Sequence, residues 1–335
     1  MANCKVTKKR REYKLASFFS GIGGFELGFE QAGFETVFQC EIDDFCNHIL
    51  DRHWADVLRT TDIREVTYED IPFAHVWAAG FPCQDVSVAR MGPRAGLRGK
   101  RSGLFYEFAR LIEEGRPPII VIENVSGLLS SHGGRDFGIV IRTLAQFGYS
   151  VEWRVLNSKN FGVPQSRRRV YIIGSNRDWR FAGEILFESK RSEGNHKKDR
   201  QNGAKTVSPF KESFGDPSTG PIVQGLAYCL YACSARHTGT DWSRTYVSYP
   251  EGRARRLTPR ECEAIQGYPR DWTLPDTPVR DVNELDTLRY TALGNAVTVP
   301  VAKWVGARIR RALTRKRIAE ALNDDLIRQR PLEVS

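Results

Sequence analysis

The chain has 335 residues, 41% hydrophobic and 27% charged, enough for one large domain or two unequal ones and too apolar for a disordered polypeptide. Its net charge of +10 suggests a polyanionic partner, but the excess sits at the ends: residues 1–14 carry six Lys or Arg against one Glu and 303–335 nine against four, while 15–302 balance at 35 each. No apolar run approaches the ~18 residues of a membrane helix, the basic start has no signal-peptide segment behind it, and seven scattered cysteines without CxxC spacing argue against a disulfide framework or a zinc site and fit a reducing cytoplasm.

The first half of the chain alternates strands and helices. Leu15–Phe19 reads as an apolar strand ending in the turn Ser20-Gly21-Ile22-Gly23-Gly24, followed by a helix with Phe25, Phe29 and Ala32 on one face and Gly33 as its stop. Glu35–Cys40 is a strand, Phe45–His53 a helix, Val76–Ala79 a buried strand, and Leu104–Glu114 a helix ended by Gly115 and Pro117-Pro118. Ile119–Ile122 is a β-branched strand running into Glu123-Asn124, Phe137–Phe147 a helix, and Tyr149–Leu156 and Val170–Gly174 two more strands. This order predicts an α/β fold with a parallel, doubly wound sheet, whose ligands sit beyond the carboxyl ends of the strands. After Trp179 the chain turns polar and irregular as far as about 255, with short strands expected at Ala227–Ala232 and Thr245–Ser248. Regular patterning returns with Thr258 as N-cap and Pro259 as first helical residue, and a last helix is expected from about Val299 to Leu322.

Three segments fall at strand ends. Ser20–Gly24 lets main chain approach a ligand at a helix N-terminus, a pattern short of GxGxxG that fits a nucleotide-like cofactor or simply a tight turn. Glu41 follows the second strand, where an acid accepts from ribose hydroxyls, and Asp62-Ile63 meets an adenine edge or caps a helix. In Gly80-Phe81-Pro82-Cys83-Gln84, Pro82 fixes the turn and Cys83 stands at a strand end, with Arg90, Arg94, Arg98, Lys100 and Arg101 following and no acid among them. Cys83 is then a nucleophile or an inert loop cysteine, and Glu123 an acid–base group or a helix cap.

Taken together and in order, Phe18–Gly24, Gly80–Ser87, Glu123-Asn124-Val125, Gln165-Ser166-Arg167-Arg168-Arg169, Arg256–Glu261 and Gly294-Asn295-Ala296-Val297 resemble the bacterial-type DNA (cytosine-5)-methyltransferase family. The resemblance covers about Lys14 to Arg310. It implies S-adenosylmethionine, without a metal, in a crevice formed by Phe19, Gly21, Gly23, Gly24, Glu41, Ile42, Asp62, Ile63, Pro82, Leu104, Asn295 and Val297. It also implies a basic N-terminal tail (1–13), a catalytic and cofactor-binding domain (14–178), a target-recognition domain (179–255), a return segment completing the catalytic domain (256–322) and a C-terminal tail (323–335).

The implied reaction is transfer of a methyl group to C5 of a flipped-out cytosine in a short double-stranded DNA sequence, through Cys83 bonded to C6. Glu123 is expected to hydrogen-bond N3, and Arg167 and Arg169 to bind the cytosine O2. Gln84, Ser87, Arg94, Arg98 and Lys100 would grip the DNA, and Arg236, His237, Thr238 and Arg244 would supply base contacts. A monomer in the cytoplasm of a bacterium, or encoded by a phage, is expected, with no membrane partner. A companion restriction endonuclease, a phage origin and a solitary regulator are all compatible with the residues. The alternatives are a tRNA cytosine-5 methyltransferase, against which the absence of a Cys-Phe-Thr element in 179–255 speaks, and an inactive DNA-binding relative, against which Cys83, Glu123, Arg167 and Asn295 speak.

Overall fold

The computed structural model describes residues 12–82, 103–176, 180–187, 213–214, 221–232, 245–276 and 281–328. Its centre is a seven-stranded sheet of β1 (Tyr13–Phe18), β2 (Phe34–Cys40), β3 (Leu58–Thr60), β4 (Val76–Ala79), β5 (Ile119–Val125), β6 (Ser150–Asn157) and β7 (Arg168–Ser175), in the spatial order β3-β2-β1-β4-β5-β7-β6. The first five strands are parallel, as expected. β7 runs antiparallel to both β5 and β6, which departs from an all-parallel sheet. Only residues 158–167 link β6 to β7. A parallel crossover needs about a dozen residues or more, whereas antiparallel neighbours need only a short link.

The chain builds β1, β2 and β3 outward in one direction and then returns to place β4 on the other side of β1. That reversal opens a crevice between the carboxyl ends of β1 and β4, where the turn Ser20–Gly24 and the segment Gly80–Pro82 emerge. Helices α1 (Gly24–Gln31) and α2 (Asp44–His53) follow β1 and β2; α3 (Leu104–Gly115) and α4 (Arg135–Gln146) flank β5 in sequence. α3 and α4 bury Phe105, Phe108, Ile112, Val140 and Leu144 in a core with Phe18, Ile120 and Ile172 of the sheet. The opposite face packs Leu15, Phe34, Val121 and Ile173 against α1, α5 (Arg180–Leu186) and the N-terminal half of α8 (Val299–Arg328).

α5 lies inside the stretch expected to be a separate irregular domain, yet Phe181, Ala182, Ile185 and Leu186 are buried in that second core. These four residues pack with the large sheet. A small antiparallel sheet follows, ordered β11-β10-β9-β8 from β8 (Ser213–Phe214), β9 (Ile222–Gln224), β10 (Tyr246–Ser248) and β11 (Ala254–Arg256). Residues 227–232 form no strand of it. They cross to the segment between β6 and β7 instead, where Ala227 N–H donates to the Pro164 carbonyl at 2.7 Å and Ser166 N–H to the Ala227 carbonyl at 2.9 Å.

α6 (Pro259–Gln266) starts as expected, with Thr258 and Glu261 exchanging a capping box and Pro259 in the first turn. α7 (Val282–Asn295) was not legible, since its apolar residues do not gather on one face: Leu285 and Leu293 are buried while Leu288 is exposed. Part of the basic C-terminal charge serves other helices. Arg308 donates to the carbonyls of Glu184 and Phe187 at the end of α5, at 2.6 and 2.7 Å, and Arg310 donates to the Ala32 carbonyl after α1 at 3.1 Å.

Candidate active site

The turn after β1 carries three residues in the left-handed region, Phe19 (φ 56°), Gly21 (φ 55°) and Gly23 (φ 83°). Gly21 N–H donates to Glu41 Oε2 at 2.6 Å and Asp43 N–H to Oε1 at 2.9 Å, so Glu41 ties the end of β2 to the turn. Burial raises the Glu41 pKa, and these two N–H groups pull it back. A Cβ on Gly24 would stand 2.6 Å from the Tyr268 hydroxyl and 2.7 Å from the Val297 carbonyl, so only glycine lets α1 start against the return segment.

The other expected cofactor residues divide. Ile42 is 62% exposed beside Glu41, and Asn295 is exposed next to the turn's neighbour Val297, which is buried. Phe19 and Leu104 are half-buried against the first core, and Pro82 is half-buried after β4. Ile63 is buried in that core, so a ligand would meet its main chain. Asp62, expected at an adenine edge, meets Arg64. Its carboxylate accepts from Arg64 Nε at 2.9 and 3.0 Å and from Arg64 N–H at 2.9 Å, which holds its pKa below the usual range.

Beneath the turn lies a carboxyl that the sequence reading missed. Glu26, in the first turn of α1, is fully buried; Gln39 Nε2 donates to its Oε1 at 3.4 Å. Burial lifts its pKa from 4.5 to about 7, with the Ser20, Ser17 and Gln39 side chains opposing. Because the folded pKa exceeds the unfolded one, Glu26 contributes stability that is complete below pH 4.5 and lost as the pH rises through 7. Relative to wild type, Glu26→Gln should therefore gain about 3 kcal/mol of stability between pH 4.5 and 8. Urea unfolding across that range checks it; a constant difference between the two proteins would contradict a neutral buried Glu26.

At the neighbouring strand ends, Ala79 of β4 pairs in register with Ile122 of β5, so Phe81-Pro82 and Glu123-Asn124 emerge side by side. Asn124 Nδ2 donates to the Phe81 carbonyl at 3.3 Å. Glu123 is buried, and Arg169 of β7 places its Nε 3.2 Å from Glu123 Oε1. Burial raises the Glu123 pKa, opposed first by Arg169 and then by Arg167. Arg169 also turns Nη1 and Nη2 toward Cys229 Sγ, at 3.9 and 4.0 Å. The sequence did not mark Cys229, because its approach depends on the 227–232 crossing.

Arg167, expected at the cytosine O2, is bound by main-chain carbonyls. It is 2% exposed, and Nη1 donates to the carbonyls of Leu230 and Gly294 at 3.1 Å each, Nη2 to that of Ala296 at 2.8 Å. Its guanidinium is taken up in joining β7 to the return segment, which leaves Arg169 facing Glu123. Cys83, Gln84, Ser87, Arg94, Arg98 and Lys100 lie outside the described residues, as do Arg236, His237, Thr238 and Arg244.

The family model of the C-5 cytosine-specific DNA methylase matches residues 13–219 and 195–311. The chain belongs to that family. Type II methyltransferase M2.BsuMI of Bacillus subtilis (strain 168) is 33% identical to it over 305 residues, covering 88% of this chain and 74% of the relative. Type II methyltransferase M.NgoBI of Neisseria gonorrhoeae is 33% identical over 307 residues, covering 86% and 90%. The S. pombe Dnmt2 methyltransferase superposes with a TM-score of 0.63 at 19% identity, over 90% of this chain and 99% of that one, a likeness of fold.

For a C-5 cytosine-specific DNA methylase the implied cofactor is S-adenosylmethionine, and the crevice suits it. A Cβ on Gly21 would meet nothing within 4 Å, so the turn is open on that side, with the Glu41 carboxylate and the uncovered Ile42 beside it. Among the described residues no His, Cys, Asp and Glu cluster could hold a metal, and no helix is long and apolar enough to cross a membrane.

Proposed function

We propose that this methylase transfers a methyl group to C5 of a cytosine flipped out of a specific short double-stranded DNA sequence, through a covalent bond between Cys83 and C6. The observation that carries the reading is the buried Glu123 with the half-buried Arg169 3.2 Å away, beside the Phe81-Pro82 segment that leads into Cys83. Cytosine C5 is a poor nucleophile. Addition of the Cys83 thiolate to C6 turns the ring into an enamine-like one. A protonated Glu123 donates to N3 and offsets the charge that builds there, and its burial favours the protonated form. Arg169 is assigned to the cytosine O2. Gly21, Gly23, Gly24, Glu41, Ile42, Asn295 and Val297 would hold S-adenosylmethionine, which supplies the electrophilic methyl group. Loss of the C5 proton then lets Cys83 leave. Extruding the base costs a few kcal/mol.

Phosphate grip is assigned to Arg94, Arg98 and Lys100, and base reading to Arg236, His237, Thr238 and Arg244. Phosphate contacts carry affinity rather than sequence information. Neutralising Arg94, Arg98 and Lys100 should therefore weaken binding to all duplexes alike and reduce the salt slope by about 0.9 per lost contact. A salt titration with two unrelated duplexes checks this, and a changed sequence preference would refute it.

Bisulfite sequencing of DNA from cells expressing the chain identifies the methylated site. A duplex carrying 5-fluorocytosine at that site should then trap the protein in a covalent adduct that needs both the cofactor and Cys83, because fluorine cannot leave as a proton. Methylation confined to tRNA would overturn the DNA reading. Absence of the adduct on the cognate duplex would overturn the covalent one.

A further inference from the structure

The cofactor turn is held from outside its own strand. Trp272 Nε1–H donates to the Ile22 carbonyl at 2.8 Å, 250 positions along the chain. Ile22 stands between Gly21 and Gly23, both left-handed. The carbonyl it presents belongs to the planar peptide shared with Gly23, so fixing that oxygen also fixes the direction of the Gly23 N–H, which donates to the Ser20 carbonyl at 3.0 Å. Two glycines in a turn have broad conformational freedom, and a hydrogen bond at the Ile22–Gly23 peptide between them restricts it.

Trp272 is itself rigidly mounted. The N–H groups on either side of it, of Asp271 and Thr273, donate to Oε2 and Oε1 of Glu263 at 2.8 and 2.9 Å. Glu263 is fully buried and paired with Arg289 at 3.0 Å. The His53 ring stacks on the indole at 3.5 Å and 4°, and Trp54 meets it edge-on at 5.6 Å. A chain of fixed contacts thus runs from Arg289 through Glu263 and Trp272 to the turn.

We propose that Trp272 is a positioning residue for the cofactor turn, through which the return segment sets cofactor affinity without touching DNA. This rests on the reading that Ser20–Gly24 binds S-adenosylmethionine. Calorimetry with S-adenosylhomocysteine as probe, on the full chain, tests it. Trp272→Phe should raise the dissociation constant about tenfold, the scale of one buried hydrogen bond. KM for the cofactor should rise with it, while KM for DNA and kcat at saturating cofactor stay within about twofold of wild type. His53→Leu removes the stacking partner and keeps the indole N–H. It also removes the contact of His53 Nε2 with the Trp272 carbonyl at 3.1 Å, so it should lower Tm and raise the probe's dissociation constant less than Trp272→Phe does. Should phenylalanine at 272 prevent folding, Trp272→Met carries the same test, since it also lacks a side-chain donor. Wild-type affinity in the folded variant, or equal rises in both KM values, would overturn the proposal. If the wild-type chain itself bound no probe, the assigned function would fail instead.

Discussion

Cys83→Ser should abolish methyl transfer and leave S-adenosylmethionine binding in place. The expectation follows from what each group can do at neutral pH. A few per cent of a free thiol is thiolate and strongly nucleophilic, whereas a serine hydroxyl is weak at its free pKa without a dedicated base. Glu123 cannot act as that base in the proposed scheme. Burial favours its protonated form, and it is assigned as a donor to N3. The cofactor turn stands at the end of β1, one strand away from the β4 segment that leads into Cys83, so the substitution should not disturb it. The measurements are labelled methyl incorporation and equilibrium binding of S-adenosylhomocysteine to the same preparation. More than about a hundredth of wild-type turnover would count against a covalent role for Cys83.

Much of the architecture was legible because local signals agreed with the global fold. Val76–Ala79 is an unbroken buried run stopped by Gly80 and Pro82, and Thr258-Pro259-x-Glu261 is a helix start that needs no tertiary information. The failures came where tertiary contacts decide. Ala227–Ala232 has strand composition, but the Ala227 N–H and carbonyl are taken by Pro164 and Ser166, and the N–H groups of Tyr228 and Leu230 by the side chains of Thr245 and Gln165. α5 follows a polar junction, and only its burial against α8 and β7 reveals where it belongs. Strand direction was not legible either, because β6 and β7 have the same composition whichever way they pair.

The site shows the same division. Glycines, prolines and short motifs mark where the chain must turn, so the Ser20–Gly24 and Gly80–Pro82 segments could be placed at strand ends in advance. Roles that depend on side-chain direction could not. Glu26 looks like an ordinary polar position in an amphipathic helix, yet it faces Gln39 with no exposure. Trp272 lies in a polar stretch after a helix cap, with nothing nearby to show that its N–H reaches Ile22. The Asp62 carboxylate accepts from Arg64, two residues on, a pairing that depends on where both side chains turn.

Arg167 and Arg169 share one motif and should fail in different ways when changed. Arg167→Met removes the donors to the carbonyls of Leu230, Gly294 and Ala296 and buries those oxygens unpaired. Each orphaned acceptor costs about 1–3 kcal/mol. Two effects offset part of that loss: burial penalises the guanidinium, and its Nε is already without a hydrogen-bond partner. A net destabilisation of about 3–5 kcal/mol is expected, with a fall in Tm of roughly 4–7 °C. The return segment ending α7 should loosen first, so cofactor affinity should fall with stability. Arg167→Lys keeps the charge but not the planar fork that reaches three carbonyls, and should recover only part of the loss. Arg169→Met leaves those carbonyls paired. It removes the cation beside Glu123, so turnover should fall while Tm changes little. Thermal unfolding and turnover measured on all three variants separate the roles. A folded Arg167→Met protein of wild-type stability would contradict the placement of its guanidinium.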